Sequence, residues 1–124
     1  MAMGKRVLYI EDNISNRTLV RRILEAEGYE VHDSDNAADG IRLAQQLSPD
    51  LILMDLSMPE LDGLTATRAL RQITGLNDVP IIALTAHVMQ DDRRRALQVC
   101  DGYIPKPIDV DTFAAEVRSF FRSG

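Results

Sequence analysis

Five side chains have the chemistry to work together, and each stands where a predicted strand stops. Asp55 follows the apolar run Leu51-Ile52-Leu53-Met54 and precedes a loop with Pro59. Glu11 and Asp12 end the run Val7-Leu8-Tyr9-Ile10, Thr85 ends Pro80-Ile81-Ile82-Ala83-Leu84, and Lys106 follows Tyr103-Ile104. An ionised aspartate at the edge of a core needs a partner, a metal or hydrogen bonds. If the strands are parallel, these ends share one sheet edge, and a strand order that sets the first beside the third makes Asp12 and Asp55 converge. Two carboxylates about 4 Å apart repel by roughly 4 kcal/mol at an effective dielectric near 20. A hard divalent cation relieves that repulsion, and magnesium accepts one or two carboxylates while leaving room for phosphate oxygens. Lys106 adds a flexible positive charge and Thr85 a hydroxyl. Phosphoryl transfer needs this kind of electrostatic positioning, and a carboxylate such as Asp55 can itself be the nucleophile.

The elements that position these residues alternate along the chain. Lys5–Ile10 reads as a short strand, and Asn13 or Ser15 caps a helix with Leu19, Val20, Ile23 and Leu24 at helical spacing. Gly28 suits the position just past that helix. Glu30–Asp33 reads as an edge strand, and Asp35 or Asn36 caps a second helix with Ala37, Ile41, Ala44 and Leu47 inward. Ser48-Pro49-Asp50 breaks it before the Asp55 strand. That strand is a continuous apolar run, as in a parallel sheet covered on both faces. A third helix is predicted from about Asp62, with Leu64, Thr67, Leu70 and Ile73 inward. After the Pro80–Leu84 strand comes a polar fourth helix over roughly Val88–Val99. Tyr103-Ile104 is the fifth strand, and Asp109 is predicted to cap a last helix with Val110, Phe113, Ala114, Val117, Phe120 and Phe121 as its apolar stripe. Five strands alternating with five helices imply an α/β fold with a parallel sheet and helices on both faces.

The composition narrows the setting. A chain of 124 residues, 45% hydrophobic and 27% charged, fits one soluble domain, with an expected ordered core at about 5–122 and no output domain. A net charge of −5 with no basic stripe argues against nucleic-acid binding. No apolar run reaches membrane-spanning length, and Val7–Ile10 is too short for a signal core. The single cysteine, Cys100, has no internal partner, so a reducing cytoplasm is expected and Cys100 reads as a small buried residue.

Four motifs in this order resemble the receiver domain of two-component response regulators over nearly the whole chain. They are Glu11-Asp12-Asn13, Asp55 through Gly63, Leu84-Thr85-Ala86, and Tyr103-Ile104-Pro105-Lys106-Pro107. The resemblance, and not the hydropathy pattern, implies the flavodoxin-like strand order 2-1-3-4-5. It implies further that Asp55 accepts a phosphoryl group from a histidine kinase or a histidine phosphotransfer protein. Glu11, Asp12, Asp55 and the backbone carbonyl of Ser57 would hold Mg2+, Glu11 through water. Thr85 and Lys106 would bind phosphoryl oxygens, Thr85 and Tyr103 would form the switch, and the Lys106–Pro107 peptide would be cis. A downstream protein would dock on the fourth helix, fifth strand and last helix. Asn13 and Asn16 are similar to residues of hybrid-kinase receivers and single-domain cell-cycle regulators. Two departures stand out: many receivers carry Asp where Glu11 stands, and glycine where Val99 stands. A β-branched Val99 should avoid the left-handed conformation.

Plainer readings exist for single residues. Tyr103 can be simple packing, His87 a surface residue, and Arg93-Arg94-Arg95 a solvated helix face. Two rival classes are open as well. An aspartyl-phosphate phosphatase resembles Asp-x-Asp at the nucleophile, but Ser57 stands at the second position. A receiver-like adaptor that never takes phosphate would have no need of Asp12, Asp55, Thr85 and Lys106 together. Nucleotide binding is a poor reading, because no glycine-rich loop follows the first strand.

Overall fold

Strand residues on alternate sides of the sheet fall into two separate cores. In the computed structural model, which describes residues 4–56, 63–85 and 100–121, Leu8, Ile10, Ile52, Met54, Ile81 and Ala83 belong to one core. Val7, Tyr9, Leu51, Leu53, Ile82 and Leu84 belong to the other. This period of two follows from the pleat, and burial on both faces explains the unbroken apolar runs.

The strands are β1 (Arg6–Ile10), β2 (Glu30–Ser34), β3 (Leu51–Asp55), β4 (Ile81–Thr85) and β5 (Gly102–Pro105). The described helices are α1 (Ile14–Ala26), α2 (Ala37–Leu47), α3 (Gly63–Arg71) and α4 (Phe113–Phe120). All pairings are parallel, in the order β2-β1-β3-β4-β5. The expected sheet is therefore present, with β2 at an edge. The expected helix at 88–99, the conformation at Val99, His87, Arg93–Arg95 and Ser57 lie outside the described residues. Among the described residues no helix is long and apolar enough to cross a membrane.

Helix boundaries follow side-chain chemistry. Asn13 caps α1 by accepting the Asn16 N–H, and Asn36 caps α2 by accepting the Asp39 N–H at 2.8 Å. Gly28, at φ 95°, takes the left-handed turn that closes α1. At α4 the expectation needs correction. The helix starts after Thr112, and Asp109 instead opens the preceding turn, its carboxylate accepting the Asp111 N–H at 2.9 Å. Val110 therefore lies in a turn and is 58% exposed, outside the apolar stripe. Phe113 and Val117 are fully buried, and Phe121 stacks on Tyr29 with ring centroids 5.2 Å apart.

Candidate functional site

β1 and β3 pair from Val7↔Leu51 to Ile10↔Met54, which brings Glu11 and Asp12 beside Asp55 at one sheet edge. The main chain holds these ends in place. Glu11 N–H donates to the Ser34 carbonyl at 2.9 Å. Leu56 N–H donates to the Leu84 carbonyl at 3.0 Å, and Lys106 N–H to the Thr85 carbonyl at 2.8 Å. The strand ends that carry the polar residues are thus tied to each other before any side chain is considered.

The side chains converge as well. Lys106 Nζ lies 2.9 Å from Glu11 Oε1 and 3.1 Å from Asp55 Oδ1. Glu11, Asp12 and Asp55 each offer a carboxylate oxygen within 4.8 Å of the others. Glu11 and Asp55 are buried while Asp12 is exposed, so the cluster opens to solvent on one side. Thr85, at the end of β4, is also buried. Tyr103 pairs with Ala83 on β5 and packs, half-buried, against the core that contains Leu8 and Ile52. The Lys106–Pro107 peptide is cis.

Glu11 is held by several side chains. Its Oε1 accepts from Tyr9 Oη at 3.0 Å and from Asn16 Nδ2 at 2.9 Å, besides Lys106. Among the described residues its buried Oε2 has no hydrogen-bond partner. Burial pushes the Glu11 carboxyl upward, but the hydrogen bonds from Lys106 and Asn16 and the charge of the lysine outweigh it and hold the group at about 2. Burial alone would lower Lys106, yet its bonds to Glu11 and Asp55 raise it, so it stays charged. Tyr9 was absent from the sequence-derived site. The available signal was strand alternation, which sets Tyr9 and Glu11 on the same side of β1.

The donor set fits a hard divalent cation. Three carboxylates against one lysine leave an excess of negative charge, and an oxygen of Glu11 is buried yet unbonded. An uncompensated buried oxygen costs about 1–3 kcal/mol, and a cation or its bound water removes that cost. Glu11, Asp12 and Asp55 would hold such an ion.

Comparison with known proteins agrees with this geometry. Residues 7–118 match the response regulator receiver domain family, and the chain belongs to that family. It is 41% identical over 119 residues to the polar-differentiation response regulator DivK of Brucella anthropi, covering 95% of this chain and 97% of the relative. Among solved structures it resembles the chemotaxis protein CheY4 of Vibrio cholerae, with a TM-score of 0.91 and 27% identity, covering 97% of this chain and all of the other. It also resembles the receiver domain of a sensor histidine kinase from Pseudomonas aeruginosa. That match has a TM-score of 0.85 and 36% identity over 94% of this chain and 97% of the other, whose structure holds a magnesium ion in its active-site cleft.

Proposed function

We propose that this receiver accepts a phosphoryl group on Asp55 and passes the signal on through its surface. The single observation that carries the reading is Lys106 Nζ set between Glu11 Oε1 and Asp55 Oδ1, with Asp12 alongside. A buried carboxylate ringed by a cationic donor, a hydroxyl and further acids suits attack on phosphorus. An Asp55 oxygen forms the new O–P bond as the N–P bond of a phosphohistidine breaks, and the imidazole leaves with the bonding pair. Bound Mg2+ would neutralise charge on the transferring group. Lys106 and Thr85 would bind the phosphoryl oxygens, and Asp12, exposed, would lie on the path to solvent. The donor would be a histidine kinase or a histidine phosphotransfer protein.

The reaction modifies the protein itself and turns over no external substrate, so the chain is a switch and not an enzyme. Its cytoplasmic setting accords with a buried, unpaired Cys100. Output would pass through residues 88–99, β5 and α4, with Thr85 and Tyr103 coupling the phosphoryl group to that face.

The test is intact mass after incubation with Mg2+ and acetyl phosphate, beside Asp55→Asn. Gain of one phosphoryl group in the parent and none in the variant is the expected result. No adduct in the parent together with no magnesium binding would overturn the reading in favour of an adaptor.

A further inference from the structure

Three donors crowd onto one oxygen of Glu11 while the other oxygen has none among the described residues. A carboxylate has two oxygens with about two acceptor positions each, so a freely turning group would divide three donors between them. Here the division is three to none. Lys106 is a long, flexible donor that reaches the site from beyond β5 and also contacts Asp55. Tyr9 and Asn16 are different: one is a rigid phenol on β1 with no exposed surface, the other sits in the first turn of α1. Both are neutral, and both lead only to Glu11 Oε1 within the site.

We propose that Tyr9 is a positioning residue for the metal site: its buried hydroxyl, with the Asn16 amide, fixes Glu11 by Oε1 and so reserves Oε2 for Mg2+ or its bound water. The inference rests on the functional reading above and adds a residue to it. Three further observations agree. Tyr9 lies two positions before Glu11, which directly follows β1 and keeps its main-chain pairing to Ser34, so both side chains turn to the same face. A buried tyrosine hydroxyl ordinarily requires a polar partner, and Glu11 is the one it has. The Tyr9 side chain has no exposed surface, so its hydroxyl meets no bulk water that could compete with Glu11. Groups that orient a metal ligand in this way commonly change affinity by about 10- to 100-fold when removed.

The experiment is calorimetric titration with MgCl2 of the parent, Tyr9→Phe, Glu11→Gln and the double variant, at one pH and ionic strength. Phenylalanine keeps the ring and its packing and removes only the hydroxyl. Tyr9→Phe should weaken Mg2+ binding about tenfold. In the Glu11→Gln background the same change should have no further effect, a coupling that a merely structural role would not produce. Affinity within twofold of the parent, or an equal loss in both backgrounds, would overturn the proposal. Absence of Mg2+ binding in the parent would overturn the functional reading as well, so the two failures are distinguishable. A measurement on the parent guards against a variant that does not fold. Mg2+ should perturb the near-ultraviolet tyrosine absorption, and Tyr29→Phe and Tyr103→Phe should retain that difference band. Its absence in the parent also counts against the proposal.

Discussion

Asp55→Asn should stabilise the metal-free protein and destabilise the magnesium-bound one relative to the parent. Asp55 is 1% exposed, and taking an ionised carboxylate out of water costs several kcal/mol even after relaxation. Its repulsion from Glu11, at no more than 4.8 Å between ligand oxygens, adds about 3 kcal/mol at an effective dielectric near 20. Against this stands attraction to Lys106 at 3.1 Å, about 5 kcal/mol on the same scale. With desolvation taken as about 4 kcal/mol, and the exposed Asp12 screened by solvent, these terms leave the charge net unfavourable by about 2 kcal/mol. Asparagine keeps the shape and an acceptor oxygen for Lys106, and Lys106 retains Glu11 at 2.9 Å, so the substitution strands no cation. In EDTA the variant should therefore unfold at a midpoint higher by about 7 °C, or about 2 kcal/mol. Magnesium at about 100 times its dissociation constant should add about 2.7 kcal/mol to the parent and much less to the variant, which closes or reverses the gap. Urea or thermal unfolding followed by circular dichroism, with EDTA and with MgCl2, reads both halves. A variant less stable than the parent in EDTA would refute the reasoning, since the contacts of Asp55 would then outweigh its burial and its repulsion from Glu11.

Four further outcomes are expected. Gly40→Ala places a Cβ 2.5 Å from Ile10 Cδ1, and Ile10 is fully buried, so α2 must shift from β1. The cost should be about 1–2 kcal/mol by urea unfolding, after the gain in helix propensity is included. Burial raises the Cys100 thiol to about 11, so at pH 8 native protein should react with Ellman's reagent about a hundredfold more slowly than unfolded protein. Glu11 at about 2, below its ordinary 4.5, contributes stability that is present above pH 4.5 and lost as pH falls through 2. The stability difference between metal-free parent and Glu11→Gln should narrow across that window in pH-dependent unfolding. Lys106→Met removes a cation that competes for the same carboxylates, so calorimetry should show tighter Mg2+ binding, by about tenfold, alongside slower phosphorylation by acetyl phosphate.

The strands were legible because burial on both faces leaves apolar runs with no alternation, and Leu51–Met54 and Ile81–Leu84 are such runs. Asn13, Asn36 and Gly28 were legible because cap and turn chemistry is local. Val110 was misassigned for the opposite reason. Its spacing to Phe113 and Val117 fits a helix, and spacing carries no record that the chain turns once before the helix begins. Beyond the polar edge strand β2, strand order was not readable from hydropathy, since β1, β3 and β4 look alike in that respect. Within the site, Glu11 and Asp12 are neighbours of similar chemistry in sequence, yet one is buried and the other exposed. The end of β1 decides that: Glu11 is still tied to the sheet through its N–H to Ser34, and Asp12 lies in the bend beyond it. Tyr9 was hidden for a related reason: an aromatic in an apolar run reads as core, and its hydroxyl gains meaning only once Glu11 is known to lie on the same face.

The neutral hold on Glu11 has a chemical logic. Glu11, Asp12, Asp55 and Lys106 carry a formal charge of −2 together, three negative and one positive, which a single divalent cation balances. Phosphorylation of Asp55 replaces its single negative charge by about two and moves that charge outward onto the phosphoryl oxygens. Lys106 must then follow the charge, and its flexible stem allows it. Glu11 loses an ionic partner in that event but keeps Tyr9 and Asn16, two neutral donors mounted on β1 and α1. On the proposed reading, the ligand set for the metal would therefore stay in place while the lysine redistributes. A site that held Glu11 by Lys106 alone would have to rebuild its metal contacts each time Asp55 gained or lost a phosphoryl group. Separating the neutral hold on Glu11 from the mobile cation would allow the same site to bind metal in both states.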